Sequence, residues 1–94
     1  MPIRRLVLDI DKTVQEPDLV LLARTIEASE GVDAVSVIVT DIDIETVGTD
    51  VTVEGPDINV DVLIHSIEHI GAVVHSIDQV VAGDRLIEGR LRRR

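Results

Sequence analysis

PDLVLLARTIEASEGVDAVSVIVTDIDI (residues 17–44) and PDINVDVLIHSIEHIGAVVHSIDQVVAG (residues 56–83) are two versions of one pattern. Each opens with Pro-Asp, runs through apolar residues at helical spacing, reaches a glycine, and continues into a β-branched run. Pro17-Asp18 leads to Gly31-Val32 and then Val35-Ser36-Val37. Pro56-Asp57 leads to Gly71-Ala72 and then His75-Ser76-Ile77. Leu19, Leu22, Ala23 and Ile26 make the apolar stripe of the first helix, with Gly31 expected as its left-handed cap. Leu63, Ile64, Ile67 and Ile70 make that of the second, with Asn59 as N-cap, Ile58 stapled against Leu63, and Gly71 at the end.

Working outward, residues 3–11 (IRRLVLDID) precede the first unit and read as a strand with Leu6, Leu8 and Ile10 on one face. Residues 32–44 and Thr46 to Glu54 read as a hairpin, and residues 72–82 as the last strand. Two strand–helix–strand halves with right-handed crossovers give an α+β fold. It is the ferredoxin-like βαββαβ sandwich, a four-stranded antiparallel sheet with two helices on one face. The first and last strands are expected as neighbours at the sheet centre, with the third beyond the first. Leu19, Leu22, Ile26, Leu63, Ile64 and Ile67 should pack on Leu6, Leu8 and Ile10. Residues 1–83 form one domain. Residues 84–94, with five Arg and two acids, form a basic tail of +3, expected to be flexible, on a domain of −12.

Composition excludes several functions. The chain has 94 residues, 18 Asp and Glu, nine Lys and Arg, and a net charge of −9. A chain this short buries roughly 60–65% of its unfolded surface, enough for one thin core. With no Cys there is no disulfide, thiolate nucleophile or Cys-based metal site. With no Phe, Tyr or Trp there is no aromatic platform for bases, and the acidic balance repels phosphate backbones, so no nucleic-acid partner is expected. No apolar run approaches membrane length and the N-terminus lacks a signal-peptide pattern, so the expected location is the cytoplasm, without a membrane partner. One lysine, Lys12, stands against eight arginines. Adaptation to high salt and the codon bias of a GC-rich genome both account for that.

Arg4-Arg5-Leu6-Val7-Leu8-Asp9, the hairpin from Gly31 to Glu54, and above all Val74-His75-Ser76-Ile77-Asp78-Gln79-Val80-Val81-Ala82-Gly83 resemble the archaeal family called domain of unknown function 211. The resemblance covers residues 3 to about 88. It implies a small ferredoxin-like protein that assembles into a homo-oligomer, as a ring, with no established biochemical activity. One segment departs from the family pattern. Where the family often has Lys-Pro-His before Glu-Pro, this chain has Lys12-Thr13-Val14-Gln15-Glu16-Pro17, so no role of that histidine carries over.

Four groups of residues invite chemistry. Asp9-Ile10-Asp11-Lys12-Thr13 matches the DxDxT signature of haloacid-dehalogenase-like phosphatases, with a nucleophilic Asp and an acid/base Asp two residues on. That chemistry needs a further cation and a larger parallel sheet, so a small phosphohydrolase ranks a distant third. Asp9 and Asp11 fall on the sheet face opposite Leu6, Leu8 and Ile10. Asp78 and Ser76 on the last strand, and Asp50 and Glu54 on the third, can share that face. Asp9, Asp11 and Asp78 are therefore a candidate Ca²⁺ or Mg²⁺ site. His65 and His69, at i and i+4, are a weaker candidate for Zn²⁺ or Ni²⁺, since position 66 is Ser where HExxH helices carry Glu. His75 is expected either as a satisfied structural residue or as a functional one, semi-buried if it shares the helix side with Val73 and Ile77.

The first reading is thus a non-enzymatic, closed cyclic homo-oligomer, with a small-molecule ligand between subunits by fold analogy. The alternative is a divalent-cation-binding protein. Oligomerisation is argued from the second strand, read with Val35, Val37 and Val39 on one face and Ile38, Ile42 and Ile44 on the other. That strand is also a long sheet edge with no central Lys or Pro to block pairing.

Overall fold

The computed structural model describes residues 1–87. Its elements are β1 (Ile3–Thr13), α1 (Leu19–Glu27), β2 (Ala34–Ile42), β3 (Thr46–Glu54), α2 (Val60–His69) and β4 (Val73–Ala82). The sheet order is β2-β3-β1-β4, with every neighbouring pair antiparallel. This is the ferredoxin-like βαββαβ arrangement. β1 does pair with β4, but the central strands are β1 and β3, and β4 is an edge. The expectation of a central β4 is corrected by the hairpin, which carries β3 inward and β2 outward.

The helix starts are set by side-chain caps. Asp18 Oδ1 accepts from the Leu21 amide at 2.8 Å, so α1 begins at Leu19 and Pro17 is buried just outside it. Asn59 Oδ1 accepts from the Val62 amide at 3.2 Å, and Gly71 follows the Ile70 cap of α2 with φ +97°. Gly31 does not cap α1, which ends at Glu27 with Ala28 as its cap. Gly31 instead has φ +83° in the following turn, where the two halves of the repeat touch. A Cβ on Gly31 would overlap the Asp57 carbonyl oxygen, and one on Gly55 would overlap the Gly31 carbonyl oxygen. The Asn59 amide donates to the Glu30 carbonyl at 3.2 Å beside that contact.

The core lies between the helices and one sheet face. Leu8, Ile10, Leu22, Ile26, Val51, Val53, Leu63 and Ile67 are fully buried, and Leu6 and Ile58 nearly so. Burial of each such Leu or Ile stabilises by about 1.5–3 kcal/mol relative to exposure. Leu19 is exposed and Ile64 only half-buried, so both leave the expected core list. Leu19 stands in the first turn of α1, ahead of the buried stripe of Leu22 and Ile26. Thr49 is the buried polar exception, and its hydroxyl donates to the Ile10 carbonyl at 2.8 Å.

The β2 reading needs one correction. The β2–β3 register slips between Val39 and Asp41, after which Ile42 faces Val47. Val47 shares the helix side with Thr49 and Val51, so Ile42 joins Val39 on that side. Ile44 lies in the hairpin turn beyond β2. Ile38 alone of the three expected isoleucines stays on the opposite face.

Among the described residues, no helix is long and apolar enough to cross a membrane.

Candidate functional site

The sheet face away from the helices is built by alternation from the core residues. Because Leu6, Leu8 and Ile10 point inward, Arg5, Val7, Asp9 and Asp11 of β1 point outward. Register places Glu54, Thr52, Asp50 and Gly48 of β3 opposite them, in that order. Asp9 thus stands directly across from Asp50, a like-charge pair that the strands must tolerate. On the other side Asp9 pairs with Ser76 and Asp11 with Val73. Two irregularities in the β1–β4 ladder add His75 and Asp78 to the neighbourhood.

The electrostatics are dominated by carboxylates. Burial is the main cause that raises the Asp9 carboxyl above its ordinary range. Repulsion from Asp11, Asp78 and Asp50 adds to the rise, and attraction from His75 opposes it. His75 Nδ1 lies 3.8 Å from Asp11 Oδ2, with both side chains well exposed, so the pair is loose. The Ser76 hydroxyl donates to Asp78 Oδ1 at 2.8 Å. Arg5 Nε donates to Glu54 Oε2 at 2.9 Å at the far end of the face. Gly48 leaves room in front of Asp11, for a Cβ there would sit 3.6 Å from Asp11 Oδ1.

Each candidate from the sequence now has a place. Asp9, Asp11 and Asp78 do share the open face, joined by Asp50. Among the described residues, however, no three His, Asp or Glu side chains come together closely enough to hold a metal ion. Lys12 of the DxDxT segment is turned to the helix side and is buried, with Nζ donating to the carbonyls of Thr13 at 2.8 Å and Val14 at 3.4 Å. It caps the end of β1 and is directed away from Asp9 and Asp11. His65 and His69 are exposed on α2 with stacked rings 6.5 Å apart. His75 is exposed rather than semi-buried, because Val74 is the residue that packs on the core and His75 turns toward Asp11.

Sequence reasoning missed the role of the two adjacent arginines at the start of β1. Arg4 Nε donates to the Gly83 carbonyl at 2.9 Å and its Nη2 to the Asp84 carbonyl at 2.7 Å. Arg5 Nη1 donates to the Ile87 carbonyl at 3.4 Å. Leu86 lies in a cavity of about 230 Å³ that it shares with Arg4, Ala34, Glu54 and Pro56. Residues 84–87 of the basic tail are therefore drawn across the sheet from β4 toward β2. Residues 88–94, the rest of that tail, lie outside the described residues. Two adjacent arginines in a chain so poor in basic residues were the available signal.

The family model of domain of unknown function 211, described as "Uncharacterized ArCR", matches residues 4–93. An uncharacterized protein of Methanocaldococcus jannaschii is 42% identical over 86 residues, spanning 92% of this chain and 88% of the relative. The matched span takes in both halves of the repeat, the outward carboxylates of β1 and the His-Ser-Ile-Asp run of β4, and the chain belongs to the domain of unknown function 211 family.

Proposed function

We propose that this protein is a non-enzymatic module that works as a closed homo-oligomer, its subunits meeting along the two sheet edges. The observation that carries the reading is apolar exposure at both edges. Ile38, Ile42 and Ile44 on and beyond β2 are 59%, 71% and 90% exposed, and Ile77 and Val80 on β4 are 45% and 53% exposed. Such side chains on opposite edges favour a heterologous contact of β2 with the β4 edge of the next copy, and repeated rotation closes that contact into a ring. The net charge of −9 opposes association, so salt should tighten the assembly by screening while strengthening apolar contact. A joint Ile38→Ser and Ile42→Ser variant, run on size exclusion with light scattering, tests the reading. A shift to smaller species supports it, and an unchanged mass sends the interface elsewhere. A native mass measurement on the same sample also detects any small ligand carried between subunits.

A second reading has Asp9, Asp11 and Asp78 bind Ca²⁺ or Mg²⁺; its support is their place on one open sheet face, not a preformed ligand set. A saturable thermal shift with Ca²⁺ at fixed ionic strength, lost in Asp9→Asn with Asp11→Asn, is the expected result. Equal responses of wild type and variant would remove this reading.

A further inference from the structure

We propose that His65 and His69 bind a divalent transition-metal ion of the Zn²⁺ and Ni²⁺ class on the outer surface of α2. This goes beyond the assembly reading and does not depend on it, and the site is separate from the carboxylates of the sheet. Residues 65–69 read His-Ser-Ile-Glu-His. The order His-Glu-x-x-His of zinc helices is not met, but its reverse, His-x-x-Glu-His, is met in full. In both orders the histidines stand four residues apart, which sets them side by side on one helix face, and the glutamate falls next to the ion.

The helix holds the pair in place. Leu63 and Ile67 are fully buried, and Asn59 caps the start of α2. His65 and His69 follow those two residues by two positions, about 200° around the helix, and so face water. Their rings are stacked, with centroids 6.5 Å apart and planes 24° from parallel. Metal–nitrogen bonds of about 2.0–2.1 Å require the two ligating nitrogens to lie within about 4 Å of each other. A Cβ spacing of about 5–6 Å and the broad χ2 torsion of an exposed imidazole allow that with the backbone unmoved. Among the described residues no three His, Asp or Glu side chains form a closed ligand group, so the pair supplies two ligands and water the others. Glu68, beside His69 and three residues after His65, is placed to accept a hydrogen bond from such a water. The pair stands on an open helix surface and takes no part in the cavity at Arg4 and Leu86, so it holds an ion and its water rather than a substrate.

Charge and ligand type choose the ion. His69 lies in the last turn of α2, where the helix dipole favours a cation, and the net charge of −9 draws cations to the surface. Imidazole suits Zn²⁺, Ni²⁺ and Cu²⁺, whereas Ca²⁺ and Mg²⁺ take oxygen ligands.

Calorimetric titration of the full chain with Zn²⁺ at fixed ionic strength tests the site. Wild type should bind saturably, and an excess of Ca²⁺ should not displace the ion. Either His65→Gln or His69→Gln should weaken binding at least about tenfold, since loss of an outer partner alone costs that much, and the double variant should abolish it. His75→Gln and the Asp9→Asn, Asp11→Asn variant should bind as wild type does. Wild-type chain also gives a readout free of any folding defect. Substoichiometric Cu²⁺, a paramagnetic ion with the same ligand preference, should broaden the ring signals of His65 and His69 before those of His75. Zn²⁺ binding that survives in the His65→Gln, His69→Gln variant would overturn the proposal. So would a wild type without saturable binding, or broadening that begins at His75 or on β1.

Discussion

The two faces of this sheet are made by the same strands and obey different rules. On the helix side, Leu6, Leu8 and Ile10 meet Val53, Val51 and Thr49, and burial is nearly complete. On the open side the same strands set Asp9 against Asp50 with Asp11 and Asp78 nearby, and the governing force is repulsion tempered by water and counter-charge. The first face specifies the fold through shape. The second is free to carry charge because nothing in the core depends on it.

That contrast can be broken most forcefully on the buried side. Leu8→Ala should destabilise the protein by about 2–5 kcal/mol, measured by denaturant unfolding. A loss below about 0.5 kcal/mol would place Leu8 outside the core. Gly31→Ala should follow, losing about 1–2 kcal/mol from the left-handed backbone alone. The overlap with the Asp57 carbonyl adds to that loss, so a neutral result would deny the contact between the halves.

The open side should answer with smaller effects of opposite sign. The Asp9 carboxyl is raised, so the native state holds its proton more tightly than the unfolded chain does. Its contribution to stability therefore falls as pH rises from the ordinary Asp range through the raised value, and the penalty is complete above that. Asp9→Asn should raise the melting temperature modestly at neutral pH, with the gain shrinking as the solution is acidified. A variant less stable than wild type at neutral pH would mean that the charge is compensated rather than strained. Least of all should follow from His65→Gln with His69→Gln on exposed α2, a change within about 0.5 kcal/mol. A larger loss would give that pair a structural partner.

The same contrast explains what the sequence made legible. The helix-side residues of β1, the Asn59 and Gly71 boundaries of α2 and the Thr46–Glu54 strand could be read because burial and capping act on local period and residue type. Asp9 and Asp11 could be assigned to the open face for the same reason. The slip at Val39–Asp41, which carries Ile42 to the other side, could not, because a bulge leaves little trace in a run of β-branched residues. His75 was undecided for the same cause, lying at an irregularity of the β1–β4 ladder. The partnership of Asp9 with Asp50 depends on the register of β1 against β3, two strands that no hairpin turn connects, so no turn residue announces it. The hold of Arg4 and Arg5 on the tail joins residues about 80 positions apart, beyond any periodic signal.

Assembly is the central claim, and sedimentation of the unmodified chain tests it most directly. In molar salt the account predicts one closed species at an integral multiple of 10.3 kDa, dissociating as salt is withdrawn. A single species at 10.3 kDa in molar salt would contradict it.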